Sequence, residues 1–327
     1  MSYSTLIRKL SQGADGVTHL EEDEAYQIFS AMLDDGVSDL ELGAIVMALR
    51  IKSESTEELL GFYRALAERV YPLALPDAHC LPVVLASYSG ARHQPNLLPL
   101  LALLLRDCGV PVVIHGTLQG NGRVTTASIL RELGILPCIN LPQAVKHLNE
   151  QGLVFLHAVT LCPGLAALMT LRERMGLRNS AHAMAKLIDP FPEGCLRVIS
   201  VSHPEYLDKV REFLTMTGAR ALLLRSTDGE AYADPMQRQQ MEFINDGAAR
   251  ILFAAEQGTS KNSAQLPDDI DAHTTAGWIR RVMAKEIAVP QSVISQLACC
   301  LYGCGYTDDM SQARAIATSK SWNMVSA

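Results

Sequence analysis

Six basic side chains, Arg92, Arg123, Arg172, Arg174, Arg178 and Lys186, are the groups in this sequence best suited to meet phosphate, and all lie in one stretch. Guanidinium groups pair with phosphate oxygens through several N–H donors at once, whatever base is attached. That stretch differs from its surroundings. Residues 86–186 hold 9 Lys+Arg against 4 Asp+Glu, whereas residues 1–85 hold 6 against 14 and residues 187–327 hold 13 against 17. A chain of net charge −7 therefore carries a +5 centre, which also contains five of its nine histidines, His93, His115, His147, His157 and His182. An anionic partner would be met there. The plainer alternatives are a local excess of charge, with Arg172 on a solvated surface and Arg178 and Lys186 capping helices or tying two domains together.

Other chemistry is thinly represented. The eight cysteines, at 80, 108, 138, 162, 195, 299, 300 and 304, lie mostly inside apolar runs and form no two spaced pairs that would enclose zinc. They read as buried reduced thiols, and the half-site Cys300-Leu301-Tyr302-Gly303-Cys304 is set aside, so no metal and no cofactor is expected. There is no helix-turn-helix, zinc-finger or RNA-binding aromatic signature, and Tyr88 is the sole aromatic near the basic loops. Binding by shape and charge, with little base stacking or sequence preference, is what remains.

The 48% hydrophobic and 19% charged composition of the 327 residues is that of a globular scaffold rather than a disordered chain. The N-terminus lacks a secretory pattern, and apolar runs such as 97–105 stop short of the roughly 20 residues that span a bilayer. A cytoplasmic protein is expected.

The elements that must position these groups are of two kinds. The first 70 residues read as helices: Ser38 to Glu41 and Ser55 to Glu58 have capping-box spacing, and Thr18 with Glu21 suggests an earlier start. Apolar stripes follow each of the two boxes, Leu42, Ile45, Val46 and Leu49, then Leu59, Phe62, Tyr63, Leu66 and Val70. Pro72, Pro76 and Pro82 mark the end of that period. Buried strands are then expected at 83–86, 110–114, 153–156, 196–201 and 221–224, alternating with helices, which implies an α/β domain with a largely parallel sheet. In such sheets ligands lie beyond the carboxyl ends of the strands, here loops 87–96, 115–124, 157–164 and 225–234.

Met47-Ala48-Leu49-Arg50-Ile51-Lys52, then Glu57-Glu58 and Gly61, resembles the opening helical domain of the anthranilate phosphoribosyltransferase family, which has the glycosyltransferase family 3 fold. Val83 to Asn96, His115-Gly116, Arg172 to Pro190 and Ser202-His203-Pro204-Glu205 follow in that family's order, so the resemblance covers essentially the whole chain. It implies a helical domain over residues 1–72, joined by part of 164–190, and an α/β domain over 80–327. It also implies a cleft between them and a homodimer through the helical domains, for which Phe29, Met32 and Val46 are candidate contacts.

The same resemblance assigns the site. The family's Gly-Thr-Gly-Gly-Asp loop, where glycines let backbone N–H groups approach pyrophosphate, is matched by Ser87-Tyr88-Ser89-Gly90-Ala91. The Asn-x-Ser-Thr turn becomes Asn96-Leu97-Leu98-Pro99, and Leu98 has no oxygen for magnesium. Ala231-Tyr232 stands where the family has an Asp-Glu metal pair, with Asp228 and Glu230 nearby as surface turn residues or displaced ligands. The His-Gly-Asn-Arg stretch reads His115-Gly116-Thr117-Leu118, and Arg172 matches a substrate-contacting arginine. Magnesium binding and transferase chemistry are therefore expected to be lost, and no residue is assigned a catalytic role. Ser87 to Arg92 and Met175 to His182 resemble the YbiB branch of the family, which implies nucleic-acid binding. Ser89, Gly90, Arg92, Asn96, His115, Arg123, Arg172, Arg174, Arg178 and Lys186 are the candidate contacts, in a basic interdomain cleft. A transferase for another acceptor, or a scaffold binding a small anion or a protein, stays open.

Overall fold

The computed structural model describes residues 3–11, 18–259 and 266–320. The chain opens with helices α1 (Tyr3–Leu10), α2 (Glu22–Leu33), α3 (Asp39–Lys52) and α4 (Thr56–Ala67). It then runs through β1 (Val83–Ser87), α5 (Leu98–Asp107), β2 (Val112–Gly116), α6 (Thr126–Glu132), α7 (Leu141–Gln151) and β3 (Leu153–His157). Three helices interrupt the strands: α8 (Ala158–Leu161), α9 (Pro163–Met175) and α10 (Ser180–Met184). The sheet resumes with β4 (Leu196–Val201), α11 (Pro204–Met216) and β5 (Ala221–Arg225), followed by β6 (Gln237–Arg238), β7 (Met241–Asn245), β8 (Ala248–Phe253) and β9 (Glu256–Thr259). Helices α12 (Ala272–Met283), α13 (Gln291–Gly303) and α14 (Met310–Lys320) close the described chain. Two compact units result: Met1–Pro72 with Ala158–Pro190, and Leu73–His157 with Phe191–Ala327.

In the helical unit, α2 packs on α4 with Phe29 and Phe62 stacked at 4.6 Å. The approach is close enough that a Cβ on Gly61 would lie 2.3 Å from the Glu22 carbonyl oxygen, so only glycine fits there. The capping box at α4 forms as its spacing predicts: Ser55 Oγ accepts from Glu58 N at 3.1 Å, and Glu58 Oε2 accepts from Ser55 N at 2.8 Å. Glu58 is buried, and it also accepts from Leu20 N at 2.8 Å and pairs with Lys52. The other two starts differ from expectation. Glu21, not Thr18, caps α2, in a box with Glu24, and the Ser38 hydroxyl turns to the Glu41 carboxylate instead of a backbone N–H. Phe29, Met32 and Val46 are buried within this single chain, so they belong to the bundle's own core and are not free for a partner. The apolar residues exposed on α3 are instead Leu40 and Ile51, at 84% and 79%.

In the α/β unit the seven-stranded sheet has the order β3-β2-β1-β4-β5-β7-β8. The first five strands are parallel, β5 pairs antiparallel with β7, and β7 with β8. Each of the five parallel strands is apolar on both faces, as a sheet covered by helices requires. The β7–β8 hairpin lies outside the sequence expectation, which ends its strands at residue 224. Its turn signal is Asp246-Gly247, both at positive φ, 49° and 77°, as a two-residue hairpin turn demands. Helix α5 is buried from Leu98 to Leu105, and α13 brings Cys299 and Cys300 into the same core. The order in which strands are added reverses at β1: the chain moves outward through β2 and β3, then returns to lay the parallel strand β4 on the other side of β1. The crevice at the carboxyl ends of β1 and β4 is thus the topological switch point, where open α/β sheets take ligands.

Candidate functional site

Strand β1 ends at Ser87, and the chain turns through Tyr88-Ser89-Gly90-Ala91 at the switch point. Gly90 sits at φ +65°, which aims neighbouring N–H groups to one side. Those donors meet acids from the loop after β5. Ser89 N and Gly90 N donate to Glu230 Oε1 at 2.7 and 2.8 Å, while Ser87 Oγ and Thr126 Oγ1 donate to Oε2 at 2.6 and 3.3 Å. Two residues further on, Arg92 N and His93 N both donate to Asp228 Oδ2 at 3.1 Å. Ala91 N is engaged elsewhere, with the Val124 carbonyl at 2.9 Å.

The acids are held by their surroundings. Gly229 O accepts from Ser200 Oγ of β4 at 2.9 Å, and Gln296 of α13 grips the next residues, donating to Ala231 O at 3.0 Å and accepting from Ala233 N at 2.7 Å. Asp228 is 5% exposed and Glu230 0%, so neither is a surface turn residue. Tyr232 is buried too, and burial, followed by the charge of Asp228, raises its phenol well above its ordinary value. Sequence reading passed over Glu230 as a partner of the β1 loop. The available signal was an exchange: Ala91 stands where the resembled loop ends in Asp, while an acid appears at 230.

Next to this loop, Tyr88 and His115 fill space with their side chains. The Tyr88 hydroxyl lies 2.7 Å from His115 Nδ1, with the rings edge to face at 5.4 Å. Tyr88 is buried and so is not placed to stack on a base. His115 is wholly buried, which lowers its pKa to about 3 and keeps the ring neutral. Asn96 is buried as well: Nδ2 donates to Thr126 Oγ1 at 3.1 Å and to Val124 O at 3.4 Å, and Oδ1 accepts from Leu98 N at 3.2 Å. Of the predicted contacts, then, Ser89, Gly90, Asn96 and His115 have internal partners or buried side chains. Arg92 is exposed beside them, and half-buried Arg123 reaches the Gly90 carbonyl at 3.5 Å.

The remaining predicted contacts belong to the helical unit. Arg172 and Arg178 are half-buried and close enough to His182 to lower its pKa, which burial first and these two charges next bring to about 4. Arg174 is exposed and pairs with Asp39 at 3.3 Å, a surface contact of little energetic weight. Lys186 is half-buried in the short 3-10 turn Ala185–Leu187. Among the described residues no helix is long and apolar enough to cross a membrane.

Residues 4–70 match the model of the glycosyl transferase family helical bundle domain. Over 316 residues the chain is 42% identical to the protein YbiB of Escherichia coli (strain K12), covering 96% of this chain and 98% of that one. It is 27% identical to an anthranilate phosphoribosyltransferase of Prochlorococcus marinus (strain MIT 9313), over 94% of this chain and 88% of the relative. Among solved structures, the anthranilate phosphoribosyltransferase of Thermus thermophilus superposes with a TM-score of 0.73 at 23% identity, covering 96% of this chain and 94% of its own.

Proposed function

Because this chain belongs to the anthranilate phosphoribosyltransferase-like family, alongside YbiB, we propose that it keeps the fold, has given up phosphoribosyl transfer, and binds nucleic acid without sequence preference. The observation that carries this reading is a division of labour at the β1 loop. The backbone N–H groups that suit a phosphate are spent on Glu230 and Asp228, while the guanidinium of exposed Arg92, at the same loop, has no carboxylate partner among the described residues. Arg172 is likewise without an ion pair among the described residues. Guanidinium groups left in this state suit a phosphodiester backbone.

Transfer of a phosphoribosyl group requires the leaving pyrophosphate to be neutralised, by backbone donors and a divalent cation. The residues at hand do not fit magnesium. Both oxygens of Glu230 and Oδ2 of Asp228 already accept hydrogen bonds, and Leu98 offers no side-chain oxygen, which leaves Asp228 Oδ1 as the one oxygen of these two carboxylates that accepts none. An octahedral cation needs more than one placed carboxylate oxygen. We assign no step to a metal and no catalytic residue.

A homodimer completes the proposal. The exposed α3 residues Leu40 and Ile51, with Ala44 and Met47 between them at helical spacing, form the apolar stripe that a second copy would cover. Two copies would double the basic surface presented to a long strand and strengthen binding by avidity. The test is a fluorescence anisotropy titration with a labelled oligonucleotide at several salt concentrations. The logarithm of affinity should fall by roughly 0.7 to 0.9 per phosphate contact for each logarithmic unit of salt. Absence of binding at low salt overturns the reading.

A further inference from the structure

We infer that Glu230 is a permanent internal substitute for a phosphate group, occupying an anion site that the β1 loop still forms. The inference rests on the reading that this loop no longer serves transfer, and it goes further by naming what occupies the loop. Three observations meet here. The loop lies at the switch point of the sheet, where a ligand is expected on topology alone. Two consecutive backbone N–H groups, on Ser89 and Gly90, converge on one oxygen, with Gly90 in the left-handed conformation that produces an anion-binding nest. The second oxygen receives two hydroxyl donors, from Ser87 and Thr126. Four donors around one wholly buried carboxylate are the complement an anionic oxygen group of phosphate type would need.

The occupant is not a free-moving flap. Gly229, immediately before it, is tied to Ser200 of β4, and Ala231 and Ala233, after it, are tied to Gln296 of α13. An external phosphate must therefore displace a tethered carboxylate that is never diluted, a competition set by effective concentration. The identity of residue 230, more than the bulk of Tyr88, then keeps phosphate-class ligands out of this loop.

Inorganic pyrophosphate without metal is the probe, followed by calorimetry on the full chain and on Glu230→Ala and Glu230→Gln. Wild type should show no saturable binding at millimolar pyrophosphate. Glu230→Ala should bind at least about tenfold more tightly than wild type, the factor that corresponds to ~1.4 kcal/mol of relieved competition. Glu230→Gln, which keeps one acceptor for Ser89 and Gly90, should fall between them. Equal affinity of wild type and Glu230→Ala overturns the inference, and so does a folded Glu230→Ala that binds nothing. A measurement on wild type alone guards against a variant that fails to fold: the amide resonances of Ser89 and Gly90 should not move on adding pyrophosphate, and saturable shifts there overturn the inference. Oligonucleotide titration of the same samples reports on the proposed function separately. Loss of nucleic-acid binding by wild type sinks that proposal and leaves the internal carboxylate standing; a wild-type loop that binds pyrophosphate does the reverse.

Discussion

Acidification should destabilise the α/β unit through His115, by an amount that follows from its burial. The ring is fully enclosed and its pKa is about 3, against an ordinary histidine value of 6.5. As pH falls below that ordinary value the unfolded chain takes up a proton that the folded chain refuses. The associated stability is present in full above pH 6.5, is lost as pH drops toward 3, and falls by about 1.4 kcal/mol per pH unit in between. Between about pH 7 and pH 5 the loss is about 2 kcal/mol from this one group. Urea denaturation at several pH values measures it, with His115→Gln as the comparison. Carboxylates and His182 contribute to the acid response of both proteins and cancel in the difference, so the variant should lose about 2 kcal/mol less than wild type over the same interval. The intercept at pH 7 is expected to be lower in the variant, because the Tyr88 hydroxyl loses its placed partner at 2.7 Å. Identical pH slopes in the two proteins would refute the reasoning.

Arg92→Ala and Arg172→Ala should each weaken oligonucleotide binding on all sequences alike and reduce the salt slope by about one contact, read by anisotropy; a sequence-dependent loss contradicts backbone recognition. Arg174→Ala, whose partner Asp39 already shares its charge at 3.3 Å, should have the smaller effect of the three. Ile51→Glu should convert the proposed dimer to monomer in light scattering at micromolar concentration, while Phe29→Ala should instead unfold the helical unit, at a cost of about 3 to 5 kcal/mol for a buried aromatic. Expression of this protein in a strain lacking anthranilate phosphoribosyltransferase should not restore growth; restoration would show that the altered loop still supports transfer.

The sequence by itself determined the kinds of element and much of their order. Helical stripes with a capping serine at Ser55, prolines closing the helical region, and short apolar runs between helices are local patterns, and local hydrogen bonding turns them into helices and buried parallel strands. The charge segregation was equally plain, since counting needs no geometry. The β7–β8 hairpin carries one local signal, the Asp246-Gly247 turn, but its strands lie outside the sequence expectation because the flanking segments lack the continuous apolar character of the central strands and β8 lies largely exposed. What only the tertiary structure decided is which apolar residues were spare and which acids were spoken for. Phe29, Met32 and Val46 have the same periodicity that a dimer face would have, and only the packing of α2 and α3 shows them consumed inside the bundle, with Leu40 and Ile51 left outside. Glu230 reads as a turn acid until the sheet brings the end of β1 beside the loop after β5, across some 140 residues of chain. No local rule reports such a contact, because its donors, a nest of backbone N–H groups, have no side-chain signature and are aligned only once β1, β4 and β5 lie in register.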